Sequence, residues 1–217
     1  MNTDFELVLN WHITEACNYN CGYCFSKWEI EPSRDLILDA DRTSSLLRHL
    51  FAFFAPGNDA NPLWNVMRWS RIRLNIAGGE PLVRHRHLKH LITAARSIGF
   101  GVSLITNASL TEPLAELLPH LTWLGVSIDT YDRKVSALIG RADGKGQTCD
   151  VGGLAQALRV ARTSHPTLRL KVNTVVNRFN HMEDFTPLLT ELRPDKWKAL
   201  RMLPCATTIV VSCCRQL

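Results

Sequence analysis

Phe5-Glu6-Leu7-Val8-Leu9-Asn10-Trp11-His12-Ile13 reads as a β-strand that delivers the chain to Cys17-Asn18-Tyr19-Asn20-Cys21-Gly22-Tyr23-Cys24-Phe25. The three thiols have CxxxCxxC spacing on one loop and can each hold one iron of a [4Fe–4S] cube, since cysteine thiolate is the usual ligand of such clusters. No fourth cysteine lies at cluster distance in the run, so one iron stays open to a small molecule. A structural zinc loop is the plainer reading. Zinc would need a fourth ligand, more often in paired CxxC spacing.

Outward from this loop, strands and helices alternate. Leu46, Leu47, Leu50 and Phe54 recur at helical spacing and predict a helix over 40–54. Pro56, Gly57 and Pro62 predict a loop over 55–65. Further strands are expected over 71–77, 102–106, 123–128, 168–176 and 196–203. Helices are expected over 88–98, over 112–118 with Thr111 as N-cap, and over 151–162 and 182–192. Six strands alternating with helices predict an α/β fold of parallel βαβ units, curled into a partial (β/α)6 barrel. Residues 1–204 are expected as one domain. Residues 205–217, with Cys205, Cys213 and Cys214 and no helical pattern, read as a short C-terminal tail.

Composition narrows the classes. A chain of 217 residues with 46% apolar and 21% charged side chains has the balance of an ordinary globular domain with a full core. A net charge of +5 suits an anionic small ligand, yet no basic tail or stripe points to nucleic acid. Seven cysteines follow no disulfide framework, Met1-Asn2-Thr3-Asp4 is not a signal peptide, and no run approaches a membrane span. A reducing cytoplasm is the expected compartment.

At the second expected strand end, Ala77-Gly78-Gly79-Glu80-Pro81 offers two glycines that permit close backbone approach to a ligand, and a carboxylate at the barrel mouth. Thr106-Asn107-Ala108-Ser109 and Ser127-Ile128-Asp129 put short polar side chains at the next two strand ends. An α/β barrel keeps its ligand contacts there. Turn chemistry explains Asn107 and Asp129 equally well.

The cysteine loop and the Gly-Gly-Glu-Pro run together resemble the signature of the radical S-adenosylmethionine (SAM) enzymes. Further runs narrow the resemblance: Asn10-Trp11-His12-Ile13-Thr14, Ser127-Ile128-Asp129-Thr130, Leu138-Ile139-Gly140-Arg141 and Asp195-Lys196-Trp197-Lys198. The most specific is Lys171-Val172-Asn173-Thr174-Val175-Val176-Asn177-Arg178-Phe179-Asn180. From about residue 7 to 203, with a longer insert after the cysteine loop, these resemble the viperin family, in its prokaryotic form without a membrane anchor. The resemblance implies a radical SAM partial barrel that converts CTP, GTP or UTP to its 3′-deoxy-3′,4′-didehydro analogue, an antiviral chain terminator. It implies electrons from a flavodoxin or ferredoxin. It assigns Cys17, Cys21 and Cys24 to the cluster, and Gly78, Gly79, Glu80, Asn107, Ser127 and Arg141 to SAM. Asn10, Arg73, Asn75, Lys171, Asn173, Lys196 and Lys198 are assigned to the nucleotide.

Charge spacing agrees with the last assignment. Arg73 with Asn75, Lys171 with Asn173, and Lys196 with Lys198 each sit two apart on a strand and share its face. Solvated strand-end charges explain one such pair easily and three pairs poorly. Two departures from the family stand out: Ala77 where Ser is frequent, and the short tail. Two other functions stay open: radical SAM chemistry on another substrate such as a peptide, or a catalytically inactive SAM- or nucleotide-binding protein. No residue of the sequence identifies the acid that protonates the leaving hydroxyl.

Overall fold

The structure is a computed structural model that describes residues 5–24 and 35–202. The strands are β1 (Glu6–His12), β2 (Arg71–Ala77), β3 (Gly101–Thr106), β4 (Trp123–Ser127), β5 (Arg169–Val176) and β6 (Lys196–Arg201). They form one parallel sheet in chain order, β1 to β6, curled into a half-barrel. The helices are α1 (Ala40–Phe53), α2 (Pro62–Val66), α3 (His85–Ile98), α4 (Thr111–Leu117), α5 (Arg133–Ile139), α6 (Val151–Ser164) and α7 (Thr186–Leu192). This is the expected partial (β/α)6 barrel.

Strand alternation divides the molecule into an apolar layer and a polar trough. Ile72, Leu74 and Ile76 of β2, Val102 and Leu104 of β3, and Leu124 and Val126 of β4 are buried. They join Leu88, Leu91 and Ile92 of α3 and Leu154 and Leu158 of α6 in one core. Full burial of such a side chain contributes about 1.5–3 kcal/mol, so this layer is the main stabilising element. The intervening residues face the trough, and register stacks them in tiers. Asn10 pairs with Asn75, Asn75 with Ser103, and Ser103 with Trp123. One step nearer the strand C-termini, Gly125 pairs with Lys171 and Lys171 with Lys196. The step after that joins Ser127, Asn173 and Lys198.

Several expected boundaries move. The loop expected over 55–65 contains the start of α2, which has Pro62 in its first turn and the Asn61 side chain accepting from the Leu63 N–H at 3.0 Å. Thr111 is the first residue of α4 rather than its N-cap, a position Leu110 takes without a side-chain bond. The helix expected from residue 182 begins at Thr186. Asn177 and Asn180 hold the preceding segment in a turn, the Asn177 N–H donating to Asn180 Oδ1 at 2.7 Å. Helix α5 was not anticipated. Asp132 caps its N-terminus through Lys134 and Val135, and Gly140 ends it at φ 86°. The expected tail of 205–217, including Cys205, Cys213 and Cys214, lies outside the described residues, as do Leu203 and Met1 to Asp4.

Candidate active site

The cysteine loop is strapped to the barrel from two sides. On one, the β1–β2 ladder continues past the strands, with Gly79 N–H donating to Thr14 O and Glu80 N–H to Ala16 O, both at 2.8 Å. A Cβ on Gly78 would collide with Thr14 O, and one on Gly79 with Ala16 O. The close approach these glycines permit is therefore to the cysteine loop itself. On the other side, Asn20 and Gly22 donate their N–H groups to Gly140 O and Ile139 O, each at 3.0 Å. Helix α5 thus satisfies its last carbonyls with the loop's amides.

Glu80 is fully buried rather than open to the mouth. One oxygen accepts from Thr106 Oγ1 at 2.7 Å and Leu82 N–H at 3.0 Å, and the other from Asn107 N–H at 2.6 Å. Burial pushes its carboxyl up from the usual range against the pull of these donors. Asn107 in turn donates Nδ2 to Asn18 Oδ1 at 3.0 Å, and Asn18 donates to Ser109 Oγ at 2.8 Å. Glu80 and Asn107 fix the loop between β2 and β3.

Beneath the loop lies a charged network that sequence reasoning left incomplete. Arg141 donates Nη1 to Tyr23 Oη at 2.8 Å and approaches Cys21 Sγ at 4.0 Å, while Nη2 donates to Ser127 O. Asp129, buried, pairs with Arg141 at 3.5 Å, accepts from Tyr23 Oη, and accepts from Val175 N–H at 2.8 Å. Asn180 donates Nδ2 to Asp129 O at 2.7 Å, so the Asn-Arg-Phe-Asn run that carries the resemblance supports this network from below. Tyr23 was not singled out from the sequence. Its position between two cysteines was the available signal.

All six residues assigned to SAM gather around the loop. Ser127 and the glycine backbones stay half-buried, whereas Glu80, Asn107 and Arg141 are buried. Cys17, Cys21 and Cys24 share no disulfide, and burial pushes the Cys17 thiol up, with the nearby Glu80 and Cys24 adding to it. Burial pushes the Cys21 thiol up to about 11, against the pull of Arg141. Among the described residues, no group of three or more His, Cys, Asp or Glu side chains is gathered closely enough to hold a single metal ion. A cube instead asks each thiolate to reach its own iron, and three thiols on one supported loop suit that requirement.

Below the loop the trough opens as a cleft of about 290 Å³, lined by Asn10, Arg73, Asn75, Lys171 and Lys196 from the expected set. Asn173 and Lys198 lie one tier nearer the loop, beside Ser127. A hydrogen-bonded chain crosses the cleft. Arg73 Nη1 donates to Ser103 Oγ at 2.8 Å, Ser103 Oγ to Asn75 Oδ1 at 2.7 Å, and Asn75 Nδ2 to Asn10 Oδ1 at 2.8 Å. Desolvation, then repulsion from Lys198, Lys196 and Arg73, holds the Lys171 ammonium below its ordinary pKa. Four cations therefore repel one another across the trough, one of them, Arg73, being paired with Glu6 at 2.7 Å.

Comparison with known proteins agrees with the fold. No family model matches the chain. Among solved structures, "Native anSMEcpe with bound AdoMet" superposes with a TM-score of 0.60 at 18% identity, over 91% of this chain and 52% of that one. "Structure of TYW1 with a lysine-pyruvate adduct bound" gives 0.56 at 15% identity, over 93% and 66%. The fold is that of the radical SAM enzymes. Curated relatives named S-adenosylmethionine-dependent nucleotide dehydratase match at 39% identity from Pseudoalteromonas ulvae, 37% from Fibrobacter sp. (strain UWH6) and 34% from Psychrobacter lutiphocae. They cover 92%, 91% and 92% of this chain, which spans 65%, 56% and 65% of their lengths. The chain is a homologue of proteins named S-adenosylmethionine-dependent nucleotide dehydratase.

Proposed function

We propose that the protein is a radical SAM nucleotide dehydratase acting on a ribonucleoside triphosphate, CTP, GTP or UTP. The observation that supports this reading is the cleft below the cysteine loop lined by Lys171, Lys196 and Arg73, with Lys198 one tier nearer the loop and close enough to repel Lys171. Cys17, Cys21 and Cys24 would hold a [4Fe–4S] cluster, and Ser127 with the Gly78–Gly79 backbone would face SAM. Glu80, Asn107 and Arg141 act as positioning residues for the loop. When bound, cluster and SAM supply the radical that removes a ribose hydrogen. The protein's own residues orient the nucleotide: the lysines neutralise its phosphates, and Asn173, in the tier of Ser127, lies where the sugar would meet the SAM side. The chemistry consumes electrons, so the reading includes an external one-electron donor of the flavodoxin or ferredoxin kind. Among the described residues no helix is long and apolar enough to cross a membrane.

Binding tests this directly. Calorimetry should show a nucleoside triphosphate binding more tightly than its diphosphate, with Lys171→Ala weakening the triphosphate by about 10- to 100-fold, the range of one charge-assisted hydrogen bond. Lys171 carries its charge below its pKa, and that pKa is lowered. Affinity should therefore fall as pH rises, beginning at a lower pH than an ordinary lysine would give. Equal binding of di- and triphosphate, insensitive to Lys171→Ala, would contradict the reading.

A further inference from the structure

The cleft has a floor, and beneath it lies a second space. A cavity of about 490 Å³ opens at the N-terminal ends of the strands, lined by Glu6, Ser70, Arg71, Thr122 and Arg169 among others. Among the described residues Trp123 alone lines both this cavity and the cleft. Its ring carries the Arg169 guanidinium at 5.6 Å. Beside it, Arg73 lines the cleft and Glu6 the cavity, and the two are joined across the boundary by a 2.7 Å ion pair. A Cβ at Gly101 would stand in ordinary contact, 3.6 Å, with both members of the pair.

We propose that Trp123 and the Glu6–Arg73 pair set the length limit of the phosphate chain, accepting a nucleoside triphosphate and refusing a longer polyphosphate. This rests on the nucleotide reading above. The cysteine loop stands at the strand C-termini, so a nucleotide with its ribose towards SAM directs its phosphates down the trough, past Lys171 and Lys196 towards Arg73. Glu6 cancels much of the Arg73 charge. Arg71 and Arg169 line the cavity on the far side of the floor and not the cleft, so a fourth phosphate would meet the indole of Trp123 before it reached either cation, and would bring its charge against the Glu6 carboxylate. Like charges so placed discriminate strongly against the wrong ligand.

The test is calorimetry on the iron-free full chain with guanosine 5′-triphosphate and guanosine 5′-tetraphosphate. Wild type should prefer the triphosphate by about tenfold or more. Trp123→Ala combined with Glu6→Gln should bring that ratio to about one, and Trp123→Phe should preserve it. Glu6→Gln alone keeps the side-chain volume and should lower the ratio even if the double variant does not fold. Equal binding of the two ligands by wild type, or a ratio unmoved by Glu6→Gln, overturns the floor while leaving the nucleotide reading intact. Failure of wild type to bind either ligand removes both.

Discussion

Alanine at Cys17, Cys21 or Cys24 is expected to reduce the iron of anaerobically reconstituted protein from about four per chain to near zero. Each thiol is the sole protein ligand proposed for one iron, and the loop has no spare cysteine. Cys149 is the informative control. It is half-buried, burial pushes its thiol up to about 12, and it is close enough to Arg141 to feel its charge. Cys149→Ala should keep full iron. If it emptied the site while a loop variant stayed loaded, the ligand set would be wrong. Iron and sulfide analysis with the absorption spectrum reads the result.

Asp129→Ala should have the largest effect on stability, about 3–5 kcal/mol in denaturant unfolding, because it leaves the Arg141 guanidinium buried without its carboxylate. The same change removes the acceptor of the Tyr23 hydroxyl and of the Val175 N–H. Tyr23→Phe removes one hydroxyl and keeps the ion pair, so it should cost only about 1–2 kcal/mol. The two variants separate the network's electrostatic part from its contribution to loop anchoring. An Asp129→Ala protein as stable as Tyr23→Phe would show that the pair is not a structural element.

The sequence made some of this visible and hid the rest for physical reasons. Strand β2 was readable to the residue, because Arg71, Arg73 and Asn75 alternate with Ile72, Leu74 and Ile76. Helix α5 is only seven residues long, too short for helical spacing to show, though Asp132 and Gly140 mark its two ends. Residues 182–185 were read as the start of α7, which begins only at Thr186, because Asp184 acts ahead of it through its side chain, accepting from the Thr186 N–H at 2.9 Å, rather than through periodicity. The cations of the cleft were legible because alternation alone puts Lys171 with Asn173 and Lys196 with Lys198. Glu80 read as a mouth residue, since sequence cannot show that Thr106, Asn107 and Leu82 already occupy its oxygens. Trp123, Ser103 and Glu6 were missed for a related reason: their roles arise from pairing across strands, which register decides.

The account's central claim is that a nucleoside triphosphate lies in the trough with its ribose towards the cysteine loop. Reconstituted protein given SAM, a one-electron reductant and a triphosphate deuterated at C4′ tests it most directly. The account predicts that CTP, GTP or UTP raises 5′-deoxyadenosine formation above background, and that mass spectrometry finds the deuterium in it. Protein with a full cluster whose SAM cleavage ignores every triphosphate, or whose 5′-deoxyadenosine stays unlabelled with all of them, would contradict it.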